Sequence, residues 1–160
     1  MAGHHGRRHA HSEHLYGPRA FPPSHSDSIT LRYLLDTDWV IHYLHGHQDI
    51  IRRVNALSDQ GIALSVISLT ELYEGVYFSS NPKNNEAALH DFLRGVTVLS
   101  VDEETCKIFA RQRGRLRAIG KPVGDFDLLI GATGLRYGLI VLTNNRRHFE
   151  PIEDLSIESR

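Results

Sequence analysis

The stretch that decides the fold is Leu31-Arg32-Tyr33-Leu34-Leu35-Asp36-Thr37-Asp38-Trp39-Val40. A short apolar run of strand length ends in an acid, and a new element opens at once behind it. Continuous apolar runs of this kind mark buried parallel strands, whose two faces are both covered by helices. In open α/β sheets ligands collect outside the carboxyl ends of such strands. Asp36 falls at that place, so the question becomes which acids join it.

Outward from this stretch, strands and helices alternate. An apolar-rich helix runs through Trp39, Val40, Tyr43 and Leu44 to Gly46, and a second carries Ile50, Ile51, Val54 and Leu57 at helical spacing. Gly61 precedes a second buried strand, Ile62–Ile67. Ser68 then opens a helix with Leu69, Leu72, Tyr73 and Val76, which Asn81-Pro82 breaks. A further helix near Glu86–Arg94 buries Leu89, Phe92 and Leu93 and ends at Gly95. Val96–Val101 is the third strand. Asp102 caps a long helix reaching about Ile119, with Cys106, Phe109, Leu116 and Ile119 on its apolar side. After the loop Lys121–Gly124, Asp125 starts a helix through Leu128, Leu129, Ala132 and Leu135 that Gly138 closes. Leu139–Leu142 is the fourth strand, and Ser156-Ile157 suits a short edge strand. This alternation implies a parallel sheet with right-handed crossovers. The fold expected over residues 31–160 is a three-layer α/β/α domain.

Residues 1–30 read differently. Six of the eleven histidines fall there (His4, His5, His9, His11, His14 and His25), among Gly, Ser and Pro22-Pro23. So little apolar surface cannot offset the entropy of ordering, and the segment is expected to be a disordered, His-rich tail.

At 160 residues the chain suits one domain with a real core. A net charge of -1 supplies no global attraction to nucleic acid, so any such binding must use a local patch. Cys106 is the one cysteine, which excludes an internal disulfide and fits a reducing cytoplasm. No apolar segment is long enough to span a bilayer, and the start lacks the apolar core of a secretory signal.

Several carboxylates occupy equivalent places in this plan. Asp36 ends the first strand, Glu71 lies one turn into the helix after the second, and Asp125 and Asp127 open the helix before the fourth. Each has a plain structural explanation: Asp36 and Asp125 suit helix N-caps, and Ser68-x-x-Glu71 matches a capping box. If these helix starts face one end of the sheet, however, the acids converge. Two unit charges about 4 Å apart repel by roughly 4 kcal/mol at an effective dielectric near 20. Such a group needs protonation or a cation, and scattered carboxylate oxygens suit Mg²⁺ or Mn²⁺ with substrate phosphate as a further ligand.

Leu34-Leu35-Asp36-Thr37-Asp38, Thr70-Glu71-Leu72-Tyr73-Glu74-Gly75, Asp127-Leu128-Leu129-Ile130-Gly131-Ala132-Thr133 and Leu142-Thr143-Asn144-Asn145-Arg146-Arg147-His148-Phe149 occur in that order. Across about residues 31–155 the chain resembles PIN-domain ribonucleases of the VapC toxin type. The resemblance implies a PIN-like fold and metal-dependent endoribonuclease activity on RNA, leaving a 5′-phosphate and a 3′-hydroxyl. It also implies a small antitoxin partner and a homodimer. Carried over by motif, Asp36, Glu71 and Asp127 are the catalytic and metal-holding carboxylates for Mg²⁺ or Mn²⁺. Asp125, Thr143, Asn144 and Asn145 are auxiliary, since Asn144, Asn145 and His148 stand where the family often has a fourth acid. Gly131 replaces the family's usual alanine. Arg111, Arg115, Lys121 and Arg146 are candidates for holding the RNA backbone, against the plainer reading of a solvated basic helix face.

Two rivals use other features. Asp36-Thr37-Asp38-Trp39-Val40 fits the D-x-D-x-[TV] pattern of haloacid-dehalogenase-like phosphatases, with Asp36 as nucleophile, Asp38 as acid/base and Gly124-Asp125 as a later acidic motif. That motif should follow a strand, whereas residues 117–122 read as a helix end and loop. The other rival is a catalytically silent binding module on the same fold. Retention of mutually repelling acids argues against it.

Overall fold

The computed structural model describes residues 30–160, so the expectation of a disordered tail lies outside the described residues. Five strands form one parallel sheet in the order β3-β2-β1-β4-β5. They are β1 (Tyr33–Leu35), β2 (Ile62–Ser65), β3 (Thr97–Leu99), β4 (Ile140–Leu142) and β5 (Ile157–Glu158). Seven α-helices are interleaved: α1 (Thr37–Leu44), α2 (Gln48–Leu57), α3 (Val66–Tyr77), α4 (Pro82–Leu93), α5 (Glu103–Ala118), α6 (Asp125–Tyr137) and α7 (Arg146–Phe149).

Side chains alternate across β1 as the pleat requires. Tyr33 and Leu35 join Trp39, Val54, Leu72, Leu89 and Phe92 in a core beneath α1 to α4, whereas Leu34 joins Leu116, Leu128, Ile130 and Phe149 on the opposite face beneath α5 to α7. This is the expected three-layer α/β/α domain. Gly61 is required where the chain enters β2. Its φ is +87°, and an added Cβ would stand 2.3 Å from the Thr30 carbonyl oxygen. At Gly131 an added Cβ would meet the tip of Ile152 at 2.5 Å, so its missing methyl admits the chain behind α7.

Several boundaries differ from those the sequence suggests. The second strand stops at Ser65, whose side chain caps α3 by accepting the N–H of Ile67 at 3.1 Å. Ser68 is therefore inside the helix and forms no capping box with Glu71. α3 already ends at Tyr77, and Asn81-Pro82 instead opens α4, with Pro82 in the first turn, where its missing N–H costs nothing. The third strand is shorter, and Thr97 and Val98 are exposed at the sheet edge. On α5, Asp102 caps as expected, but Thr105 and Leu116 form the buried stripe. Cys106 and Ile119 face outward, because this helix rests mainly on α6. Asp125 is not an N-cap. Gly124 holds that position, and the Asp125 carboxylate is ion-paired with Arg113.

Candidate active site

Chain order places β2 and β3 on one side of β1 and β4 and β5 on the other. The sheet's switch point therefore lies between β1 and β4, and a crevice opens there beyond the strand ends. Asp36 follows β1 and Thr143 follows β4 at this point. Asp36 is 5% exposed and is the N-cap of α1: its Oδ1 accepts the N–H of Thr37 at 2.8 Å. Its Oδ2 accepts the Thr143 hydroxyl at 2.7 Å.

The other acids gather around it. The Thr37 hydroxyl donates to Glu71 Oε1 at 2.8 Å, which ties the start of α1 to α3. Asp38, on the first turn of α1, accepts the side-chain amide of Asn145 on Oδ2 at 3.1 Å, and its carboxyl lies within hydrogen-bonding reach of Asp36. Asp127, on the first turn of α6, meets Nδ1 of His148 at 3.3 Å. The N–H of Asn145 donates to the Thr143 hydroxyl oxygen at 2.9 Å, so one turn holds both Asp36 and Asp38.

Charge is concentrated accordingly. Burial, with the neighbouring Asp38 charge second, pushes the Asp36 carboxyl up from 3.8 to about 7, against the bonds from Thr143 and Thr37. Burial also raises Asp38. Glu71 is raised by burial and then by the charges of Asp127, Asp36 and Glu74. Asp127 is raised by burial and by Asp36, with His148 pulling it down. Four carboxylates kept in one crevice supply the oxygen donors that a hard divalent cation takes. Among the described residues, no three acidic, histidine or cysteine groups stand close enough to grip one ion together.

Of the sequence candidates, the crevice brings together Asp36, Glu71, Asp127, Thr143 and Asn145. Asn144 turns outward and accepts the Arg160 N–H on its side-chain oxygen at 3.2 Å. Asp125 lies outside, with its side chain 80% exposed. The contacts of Arg113 with Asp125 and of Arg136 with Asp102 run α5 antiparallel to α6, so the basic end of α5 lies beside the Asp127 end of α6. Lys121, in the loop after α5, is exposed there, and Arg111 is exposed midway along α5. Arg115 instead contacts the Pro151 carbonyl and Glu153, and Arg146 pairs with Glu150 at 3.2 Å. Asp38 and His148 complete the cluster. The sequence placed Asp38 in the first PIN-like motif but gave it a chemical role only within the phosphatase pattern. Its signal was the second acid of Asp36-Thr37-Asp38, one residue into the helix Asp36 caps. The phosphatase reading itself loses its later motif, because helix α5 and a loop, not a strand, precede Asp125.

The PIN domain family model matches residues 33–154. Ribonuclease VapC2 of Haemophilus influenzae is 33% identical over 130 residues, covering 81% of this chain and 98% of that protein. The tRNA(fMet)-specific endonuclease VapC of Salmonella typhimurium is 33% identical over 128 residues, covering 80% and 97%. Among solved structures, DNA-bound VapBC from Salmonella typhimurium matches with a TM-score of 0.76 at 32% identity, over 81% of this chain and 98% of that one. VapBC2 from Rickettsia felis, bound to a DNA fragment from their promoter, matches with a TM-score of 0.77 at 26% identity, over 81% and 99%. A parallel sheet with an acidic crevice at its switch point, matched over this length, defines the class: the chain belongs to the PIN-domain family. Within that family it is similar to the VapC ribonucleases.

Proposed function

We propose that the chain is a divalent-metal-dependent endoribonuclease and the toxin of a toxin–antitoxin pair. One observation carries this reading: Asp36, Asp38, Glu71 and Asp127 share one crevice with their carboxyls raised above the usual range. Relatives that are themselves named ribonucleases supply the substrate class. Asp36, Glu71 and Asp127 would hold Mg²⁺ or Mn²⁺, with Asp38 beside them. The bound ion supplies an activated water and charge neutralisation at the scissile phosphate. The chain's own groups set the geometry: Thr143 and Thr37 fix the rotamers of Asp36 and Glu71, and Asn145 fixes Asp38. Lys121, just beyond α5, and Arg111, midway along it, offer cations to the RNA backbone.

The antitoxin reading has its own support. A groove of about 340 Å³ runs between α1, α3 and α4, lined by Ile41, Leu44, Leu72 and Val76, with Glu71 at its margin. An amphipathic segment in this groove would reach the crevice and close it, which suits an inhibitor. A structural neighbour, VapBC-5 from Mycobacterium tuberculosis, is described as a member of the VapBC family of toxin-antitoxin systems. Incubating purified protein with mixed RNA, with Mg²⁺, with Mn²⁺ and with chelator, tests the enzymatic reading. Cleavage with either metal and none with chelator is expected. RNA left intact under all three conditions would end it.

A further inference from the structure

The turn that braces Asp36 and Asp38 has a second side. Asn144, exposed on that turn, lines a polar pocket of about 290 Å³ with His42, His47, Gln48, Asp49 and Arg160. His42 stands four residues after Asp38 on α1, one turn along the same face, so the pocket adjoins the carboxylate crevice. The His42 and His47 rings are stacked, with centroids 4.6 Å apart and planes inclined by 25°. His47 is the N-cap residue of α2, but its side chain caps nothing. The ring is thus placed against His42 and not against the helix end.

Among the described residues that line the pocket, Asp49 is the acidic side chain, and it is already matched by cations. Asp49 pairs with Arg160 at 2.5 Å and with Arg52 at 2.5 Å, and these guanidinium groups hold its carboxyl below the usual range. The pocket therefore offers a flat aromatic pair and a carboxamide, with the Arg160 guanidinium held against Asp49, within a helical turn of the acids. Unstacked bases of single-stranded RNA are held by such parts: a π-face to stack on, amides for the base edge and cations for the phosphate. We propose that this pocket is a subsite for one nucleotide of single-stranded RNA next to the scissile phosphate, its base stacked on the His42–His47 pair. The inference rests on the endoribonuclease reading above.

The experiment proceeds in two stages, both with the full chain. Wild-type protein with Mg²⁺ or Mn²⁺ first maps the bond cut in a short single-stranded RNA. Failure to cut at this stage ends the endoribonuclease reading itself, before any pocket variant is made. Binding is then measured in the Asp36→Asn background to that RNA and to copies made abasic on either side of the mapped bond. Loss of the base on one side should weaken binding about tenfold. His42→Ala with His47→Ala should weaken the intact RNA by about the same factor, and the abasic RNA by less than about twofold. His47→Phe, which keeps a ring, should bind intact RNA within about twofold of its parent, and guards against a misfolded double variant. If the histidine variants weaken intact and abasic RNA equally, or neither, the subsite is refuted. Weakened binding of a cognate protein partner with unchanged RNA binding would refute it in favour of a protein contact.

Discussion

Thr143 donates its hydroxyl to Asp36 Oδ2 at 2.7 Å, and the Thr143 hydroxyl oxygen accepts the N–H of Asn145 at 2.9 Å. One fully buried hydroxyl therefore joins the ends of β1 and β4 across the switch point. Thr143→Val keeps the shape of the side chain but leaves a buried carboxylate oxygen and a backbone N–H unpaired. We expect a loss of about 1–3 kcal/mol in a urea melt. Cleavage should fall with it, because Asn145 would no longer hold Asp38 in place. Thr143→Ser should restore both, and a Val variant as stable as wild type would show that the hydroxyl braces nothing.

Metal-free protein should lose stability as pH rises from about 4 to about 7. The Asp36 carboxyl gives up its proton near 3.8 when unfolded and near 7 when folded. Between those values the folded state binds more protons, so stability falls with pH. The full rise is worth at most roughly 4 kcal/mol, shared with the coupled charge of Asp38. The raised Asp38, Glu71 and Asp127 act in the same direction. Asp102, held down to about 2 by its bonds to Thr105, changes charge only at lower pH. Melts in chelator across this range should show the slope, and Asp36→Asn should flatten it. Added Mn²⁺ should stabilise increasingly as pH rises, since the ligands must be ionised. A wild-type profile that climbs from pH 4 to 7 in chelator would contradict the crevice electrostatics.

The two acids of Gly124-Asp125-Phe126-Asp127 should separate cleanly. Asp127→Asn is expected to abolish RNA cleavage with no loss of stability, and with a gain where the lost charge relieves Asp36 and Glu71. Asp125→Ala breaks a pair whose Asp125 side chain is 80% exposed, while Arg113 keeps its bond to the Val123 carbonyl, so it should cost about 1 kcal/mol while cleavage persists. Cleavage at saturating Mn²⁺ and a denaturant melt for each variant decide the matter. Near wild-type cutting by the Asp127 variant would remove that residue from the catalytic set.

How much of this was legible depended on whether local chemistry or tertiary packing decided the outcome. Asp36 was legible because an apolar run, an acid and a helix start leave one topological place for it, and Glu71 and Asp127 followed by motif. Asp38 was harder to read, since its role depends on Asn145 reaching across from the far side of the switch point. Cys106 and Ile119 fit a helical stripe, but the stripe that is buried on α5 was chosen by its packing on α6. Asp125 offered a cap by residue type, yet Arg113, twelve residues earlier, took its carboxylate.

The start of α3 gives the sharpest contrast between the two levels. Val66 and Ile67 are β-branched and extend the apolar run, so by propensity they belong to the strand. The backbone leaves the sheet one residue earlier. Ser65 has φ −70° and ψ 144°, and its hydroxyl accepts the N–H of Ile67, satisfying a helix-start donor that the strand reading would leave in the ladder. Ser68 is then carried to a fully buried position where its hydroxyl has no partner. The two serines should consequently respond in opposite ways to the same change. Ser65→Ala removes a cap and should cost about 1 kcal/mol. Ser68→Ala removes an unsatisfied buried hydroxyl and improves helix propensity, so it should be neutral or stabilising. Urea melts of the two variants at one pH measure the difference directly. A Ser68→Ala protein less stable than Ser65→Ala would mean that the helix starts at Ser68 after all.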